Sequence, residues 1–315
     1  MLWIWYALKE RSLFYFSASN PTIPTGGMMG ESKYDVLRMV PNAVKPATIL
    51  IKLPASREHV LQTLRENNLQ LPVVCKPDLG ERGWMVRIIK TSSEIDIYLK
   101  EIKTDFIMQE FVNLPLEFGV FYVRFPSQQT GFVNSVTGKE FLTVTGDGSK
   151  TLQQLIEAKD RARLQWPVLR NVYAHRLTEI IPAGQSIELV SIGNHCLGTS
   201  FINCNHLINE ALTQSFDAIS QQIDGFYFGR FDLRCATLDD LQAGRVKILE
   251  LNGCGAEPAH IYHPGASLWQ GIGTLITHWK NLYRVSKENH ARGVPYLSFK
   301  EGKAYYQKFK RLKAE

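Results

Sequence analysis

Two runs in the last third of the chain constrain its fold most: Phe226–Arg234 (FYFGRFDLR) and Val246–Asn252 (VKILELN). Both are rich in aromatic and branched residues, as strands are, and CATLDDLQAGR between them reads as a loop. Successive side chains on a strand point to opposite faces, so Arg230 and Asp232 share a face, and so do Glu250 and Asn252. Paired as a hairpin, the two runs bring two carboxylates and an amide oxygen together beside a guanidinium. Hard divalent cations take oxygen ligands of this kind, and Mg²⁺ commonly takes one or two carboxylates plus substrate phosphates. A solvated surface hairpin could carry the same charges, but the flanking residues are too apolar for one.

A second set of residues lies far upstream. Leu71–Asp78 (LPVVCKPD) is a short apolar run ending in Lys76-Pro77, followed by Gly80-Glu81-Arg82-Gly83 and a second apolar run, Trp84–Ile89. This predicts strand, glycine-bearing turn, strand, with Lys76 near a strand end. Gly80 and Gly83 would let backbone N–H groups approach an anion with no Cβ in the way. An isolated G-x-x-G is more often an ordinary hairpin turn. Asp105–Val112 (DFIMQEFV) then reads as a buried strand ending in Gln109-Glu110-Phe111-Val112, and Leu116-Glu117-Phe118-Gly119-Val120 follows a Pro-bearing turn.

In order, these motifs are K-P, G-x-x-G, x-Q-E-F-V, x-E-F-x-V, G-R-x-D-x-R and E-x-N. In that order the chain resembles the ATP-grasp superfamily, most of all D-alanine–D-alanine ligase and the ATP-grasp part of cyanophycin synthetase. Each motif is loose; six in sequence are specific. Two further segments are similar to cyanophycin synthetase: Thr145–Thr151 (TGDGSKT) before LQQLIEA, and Pro182-Ala183-Gly184-Gln185 leading to Ser191-Ile192-Gly193-Asn194 and Gly198. GDGSKT is not a P-loop, because Ser149 stands where that motif needs Gly before the Lys. It also reads simply as a tight turn before a helix.

The resemblance implies an α+β ATP-grasp fold, two lobes with mainly antiparallel sheets clasping ATP. It implies an ATP-dependent ligase that joins a small carboxylate to an amine, or sometimes a thiol, through an acylphosphate and releases ADP. Lys76 and Lys33 would hold the α/β-phosphates, and the Gly80–Gly83 loop with Arg82 would cover the β/γ-phosphates. Backbone groups around Glu110, Phe111 and Val112 would read the adenine edge, and Glu117 would bind the ribose hydroxyls. Asp232, Glu250 and Asn252 would hold Mg²⁺, two ions with Glu250 bridging, Mn²⁺ being an alternative. Arg230 would stabilise charge on the transferring phosphoryl group, a task suited to a guanidinium fork. Arg124, Lys139, Arg234, Glu257, His260 and His263 are candidates to meet the substrates, each as readily structural. His260 and His263 alone make no zinc site without a third ligand. An ATP-grasp kinase and a non-catalytic nucleotide-binding module at a membrane surface are the alternative functions.

The expected organisation is an apolar segment and Gly/Pro-rich loop over 1–30, a small lobe over 31–112, a large lobe with the metal site over 113–280, and a basic tail over 281–315. Ser32 is expected to cap a helix carrying Val36, Leu37 and Val40, with Lys33 in its first turn. Further helices are expected over SREHVLQTLRENN, SSEIDIYLKEI, QQLIEAKDRARL and INEALTQSFDAISQQI. The related ligases carry a full α/β domain before these lobes. Only about 30 residues stand here, on this pattern reading, so that domain is expected to be lacking. A turn or anion loop at Thr25-Gly26-Gly27 would take over part of its role.

The chain has 315 residues, 44% hydrophobic and 21% charged, with a net charge of +6. Its core is ample, and no repeat or low-complexity tract appears. From Lys280 onward ten Lys/Arg face three Asp/Glu, so the basic excess belongs to the C-terminal end. That end could meet anionic lipid or an acidic partner, or be a solvated helix; nothing else suggests nucleic acid. Met1–Leu8 (MLWIWYAL) and LFYF after it are too short to cross a bilayer, and a cleaved signal peptide is not expected. Trp and Tyr suit a membrane interface, so weak membrane-surface contact and packing against the protein body both stay open. Five Cys without a C-x-x-C pair suit reduced thiols, with Cys254 a passive thiol rather than a nucleophile. The expected location is cytoplasmic, allowing a position peripheral to the inner membrane face, and a homo-oligomer is compatible with the sequence.

Overall fold

The computed structural model describes residues 2–80, 83–190, 193 and 198–314, with backbone alone over 311–314. The chain divides into two compact units: residues 1–138 with 203–315, and residues 139–202.

The larger unit opens with α1 (Leu2–Lys9) and α2 (Lys33–Met39). Ser32 caps α2, its Oγ accepting the Asp35 N–H at 3.0 Å, as Ser at this position should. Then come β1 (Thr48–Ile51), α3 (Arg57–Glu66), β2 (Val73–Pro77), β3 (Arg87–Ile89), α4 (Ser92–Glu101) and β4 (Phe106–Glu110). The four strands form an antiparallel sheet in the order β1-β4-β2-β3. One face, with Ile49, Ile51, Val73, Cys75, Phe106 and Met108, packs on Val60 and Leu64 of α3 and Ile95 and Tyr98 of α4. The period of two then turns Lys76 and Gln109 to the opposite face.

β5 (Leu116–Val123) and β6 (Phe132–Glu140) begin the second sheet. The smaller unit follows, with β7 (Thr143–Thr145), α5 (Leu152–Ala158), α6 (Asp160–Leu164), α7 (Trp166–Val172) and β8 (Ser186–Glu188), and β9 (Ser200–Asn203) leads out of it. β7 and β8 pair antiparallel, and Leu142, Leu152, Ile156, Ala162, Leu169 and Ile187 share one core. The expected single helix over QQLIEAKDRARL is instead two. Lys159 is extended, and the break lets Ile156 of α5 and Ala162 of α6 turn to the same core. In GDGSK, Asp147 Oδ1 accepts the N–H groups of Ser149 (2.9 Å) and Lys150 (2.8 Å). Those donors are spent in a turn before the Thr151–Gln154 capping box of α5. The segment Ser191-Ile192…Asn194 lies outside the described residues.

The chain returns to the larger unit with α8 (Glu210–Gln221), β10 (Phe228–Cys235), α9 (Leu238–Gln242), β11 (Lys247–Asn252), α10 (Leu268–Ala291) and α11 (Phe299–Ala314). The segment read as a loop between β10 and β11 contains α9, capped by Thr237, whose Oγ1 accepts the Asp240 N–H at 3.1 Å. Within the larger unit the second sheet runs β11-β10-β5-β6, these strands all antiparallel. One face carries Phe118, Val120, Tyr122, Phe231, Leu233, Ile248 and Leu251 against Leu212, Phe216 and Ile219 of α8. At one end of the other face, Phe121, Val123 and Phe228 pack on Tyr6, Tyr15, Leu282 and Val285. The rest of that face is left to Glu117, Gly119, Arg230, Asp232, Arg234, Glu250 and Asn252. α10 runs unbroken across Lys280 and buries Leu282 and Val285. Among the described residues no helix is long and apolar enough to cross a membrane.

Candidate functional site

β10 and β11 pair antiparallel with Arg230 opposite Asn252 and Asp232 opposite Glu250. The alternation therefore puts all four side chains on one face. Arg230 grips Asp232 through Nε to Oδ1 and Nη2 to Oδ2, both at 3.0 Å. Asn252 Nδ2 donates to Asp232 Oδ2 at 3.0 Å. Gly119, on the neighbouring β5, leaves the room: a Cβ there would stand 3.1 Å from Arg230 Cδ and 3.2 Å from Asp232 Oδ1.

The ladder slips by one after Asp232, so that Leu233 faces Ile248 and Leu249 is the extra residue. A bulge leaves such a residue out of the ladder. Here its carbonyl accepts from Lys76 Nζ at 3.0 Å and from Gln109 Nε2 at 3.3 Å. Lys76 Nζ also reaches Gln109 Oε1 at 3.3 Å. The bulge thus ties the first sheet to β11 and sets Lys76 beside the Asp232–Glu250 pair.

Lys33 arrives by another route. Asp78, just past β2, accepts Ser32 Oγ and the Tyr34 N–H on Oδ1, both at 2.9 Å, and its carbonyl accepts the Lys33 N–H at 3.1 Å. A carboxylate on the first turn of a helix is favoured by the unpaired N–H groups and the dipole there. Anchored in this way, Lys33 Nζ donates to the Gly80 carbonyl and lies 3.5 Å from Glu250 Oε1. Asp78 was not among the residues singled out from the sequence. Its one sequence signal is its place two residues after Lys76, and nothing there says that its partner is 46 residues upstream.

Burial in this wall pushes the Glu250 carboxyl up, but Lys33, Lys76 and Arg230 outweigh it, against repulsion from Asp232, and hold the pKa below the usual carboxylate value. For Arg230, burial opposes the charge and Asp232 more than restores it, leaving its pKa raised. Two lysines, a guanidinium and two carboxyl groups thus share the site.

After Asn252 the chain doubles back onto the N-terminal segment. The N–H groups of Cys254 and Gly255 donate to the Gly26 (3.0 Å) and Gly27 (2.9 Å) carbonyls. The backbones touch so closely that a Cβ on Gly27 would lie 2.6 Å from Gly253 Cα. Of the two forms expected at Thr25–Gly27, a turn or an anion loop, the structure shows the turn. The N–H groups of Gly26 and Gly27 bond to Ile23 and Pro24, and those of Met28 and Met29 to Thr25 Oγ1. Asn20, fully buried, holds this segment to β10: it donates to the Gly26 and Phe228 carbonyls and accepts from Tyr227 and Phe228. Burial pushes the Cys254 thiol up to about 12, which suits a passive group.

Arg230 Nη1 also donates to the Glu257 carbonyl at 3.1 Å, which brings the loop after Gly255 over the site. Tyr262 donates to Glu257 Oε2, and that bond, with burial, raises the phenol to about 12. His260 is buried and its pKa lowered by burial, while His263 Nδ1 accepts from the Asn203 N–H.

Glu117 is buried against Arg234 (2.9 Å), which also donates to the Val112 carbonyl at 3.1 Å. Glu110 is exposed and accepts the Ala47 N–H at 3.1 Å, and Phe111 is half-buried. Gly83 has φ +74°, a value that suits glycine, while a Cβ on Gly80 would meet only ordinary contacts. Arg82 lies outside the described residues. Arg124 stacks on Tyr227 and donates to the Phe226 carbonyl, and Lys139 belongs to the smaller unit.

Neither a family model nor a curated protein matches the chain. Among solved structures it is similar to D-alanine–D-alanine ligase from Bacillus anthracis, with 12% identity, TM-score 0.46, and 89% of this chain and 70% of that one covered. VanG D-Ala:D-Ser ligase from Enterococcus faecalis gives 16%, 0.44, 81% and 62%. The bifunctional glutathione synthetase from Pasteurella multocida gives 15%, 0.38, 83% and 38%. At such scores these neighbours decide nothing about activity. The antiparallel sheets with helices packed on them are those expected of an α+β fold.

Proposed function

We propose that this chain is an ATP- and Mg²⁺-dependent ligase that joins a carboxylate to an amine, or to a thiol, and releases ADP and phosphate. The observation that carries this reading is the convergence of Lys33, Lys76, Arg230, Asp232, Glu250 and Asn252 on one wall. The motif order supports it. In this reading residues 31–112 and 113–280 act as the two lobes around ATP.

Asp232 and Glu250 fit a hard cation: both are oxygen donors, and Glu250 is held ionised. Together with Asn252 they would hold Mg²⁺, which supplies charge neutralisation at the phosphate oxygens when bound. Lys33 would exchange Glu250 for phosphate, and Lys76 would turn from the Leu249 carbonyl to the same anion. Arg230, fixed at Nε and Nη2 by Asp232, would offer its remaining N–H to the transferring phosphoryl group. A substrate carboxylate oxygen would attack the γ-phosphorus and expel ADP. The amine would then attack the acyl carbon, lose a proton and expel phosphate. Glu117 would take the ribose hydroxyls and Glu110–Val112 the adenine edge.

The test is ADP release with Mg²⁺ against a panel of amino acids and small carboxylic acids, with Glu250→Gln as control. Release stimulated by a carboxylate–amine pair, with an amide product, and lost in the control supports the ligase. A phosphorylated hydroxyl product would make the chain a kinase. ATP binding with no stimulated release across the panel counts against the ligase.

A further inference from the structure

We propose that α1 and α11 together form a docking surface for a bilayer carrying anionic lipid. This stands independently of the ligase reading. The sequence holds an aromatic N-terminal run and a basic C-terminal run nearly 300 residues apart. The fold brings them onto one part of the molecule. Glu10 accepts the hydroxyls of Tyr283 (2.5 Å) and Tyr296 (3.2 Å), Ser17 Oγ accepts the Leu297 N–H at 2.9 Å, and Gly302 of α11 lies so tightly on the Phe14 ring that a Cβ would overlap it.

The outward faces of these two helices have one chemistry. On α1, Tyr6 and Ala7 are buried while Trp5 is 62% and Leu8 72% exposed, with Ile4 beside them. On α11, Phe299 (65%), Lys303, Tyr306 (53%) and Lys310 recur at i, i+4, i+7 and i+11, one stripe of a helix, all exposed. Lys9, Arg11, Lys300 and Lys308 are exposed around them. Among the described acids, Glu10 is engaged by the tyrosines and Glu301 by the Ser298 N–H and Oγ.

Exposed aromatic and aliphatic side chains among lysines suit the headgroup layer, where rings insert and lysine stems lie along the apolar surface. A nucleic acid would have no use for Ile4 and Leu8, and a water-facing helix no reason to display Trp5. α1 is eight residues long and so lies on the bilayer rather than across it. One weak anchor binds reversibly; an apolar insertion plus a polybasic patch binds stably.

The experiment is co-sedimentation of the full chain with phosphatidylcholine vesicles with and without phosphatidylserine, at low and high salt. Binding is expected to the phosphatidylserine vesicles, reversed by salt. The Trp5→Ser/Leu8→Ser variant should lose most of it. The Lys300→Glu/Lys303→Glu variant should fall at least about fivefold for each lysine, the order of one basic residue's contribution at such a surface. All four positions are exposed, so circular dichroism should match the parent. Failure to bind phosphatidylserine vesicles, or undiminished binding by both variants, overturns the proposal. So does the dissolution of an oligomer by the same substitutions without any vesicle binding, which would assign the face to a second copy of the chain.

Discussion

Asp232 receives three hydrogen bonds, two from Arg230 and one from Asn252. Asp232→Asn keeps the shape and removes the charge. Turnover should fall at least about a hundredfold, the scale of losing an electrostatic group at a phosphoryl-transfer site, with the circular dichroism spectrum unchanged; wild-type-like ADP release would sink the metal assignment. Asp78 acts at one remove. Asp78→Ala takes the acceptor from Ser32 Oγ and the Tyr34 N–H, which should cost about 1–2 kcal/mol in denaturant unfolding. It should also loosen Lys33, raising KM for ATP several-fold with a smaller change in kcat. An unchanged KM would show that Lys33 does not meet the nucleotide.

Strand register builds the site at the scale of elements. Had β10 and β11 paired without the bulge, the Leu249 carbonyl would sit in the ladder and Lys76 would lose its bond to it. β5 contributes by absence. Gly119 has ordinary strand geometry, so valine there is conformationally welcome, yet its branches would push the Arg230–Asp232 pair apart. Gly119→Val should therefore lose far more activity than stability, with Gly119→Ala between the two. Paired turnover and melting measurements check this; parallel losses would make Gly119 a packing residue only. Helices follow the same logic. The pattern of α3 and α4 was legible because Ser56 and the apolar positions lie within one element. The split of α5 from α6 was not, because it answers to a core shared with α7 and β8.

The interior of the whole molecule holds a pH-dependent group. His278 of α10 is 3% exposed between Phe121 and Phe228, with no partner for Nδ1 among the described residues. Burial lowers its pKa from 6.5 to about 4. The unfolded chain then takes up a proton between pH 6.5 and 4 that the folded chain refuses. Stability should rise with pH across that window and be lost on acidification, by on the order of 3 kcal/mol in all. Urea unfolding over this range should show the slope, and His278→Phe should flatten it; an equal slope in the variant would move the effect to other groups. The depressed Glu250 pKa acts from the acid end of this window downward: its contribution is fully present above 4.5 and is lost as pH falls through its folded value. By itself the sequence determined which residues share a strand face, that Ser32 starts a helix, and the motif order that places Lys76, Arg230, Asp232, Glu250 and Asn252 together. Those features are local, set by a period of two or by a side chain bonding a few residues away. Only the tertiary structure decided the bulge at Leu249, the grip of Asp78 on α2, the closure of Gly253–Gly255 on Gly26 and Gly27, and the seating of α11 on Phe14. Each joins groups far apart in the chain, and such partners are selected by register, burial and the filling of space, which no single stretch of sequence carries.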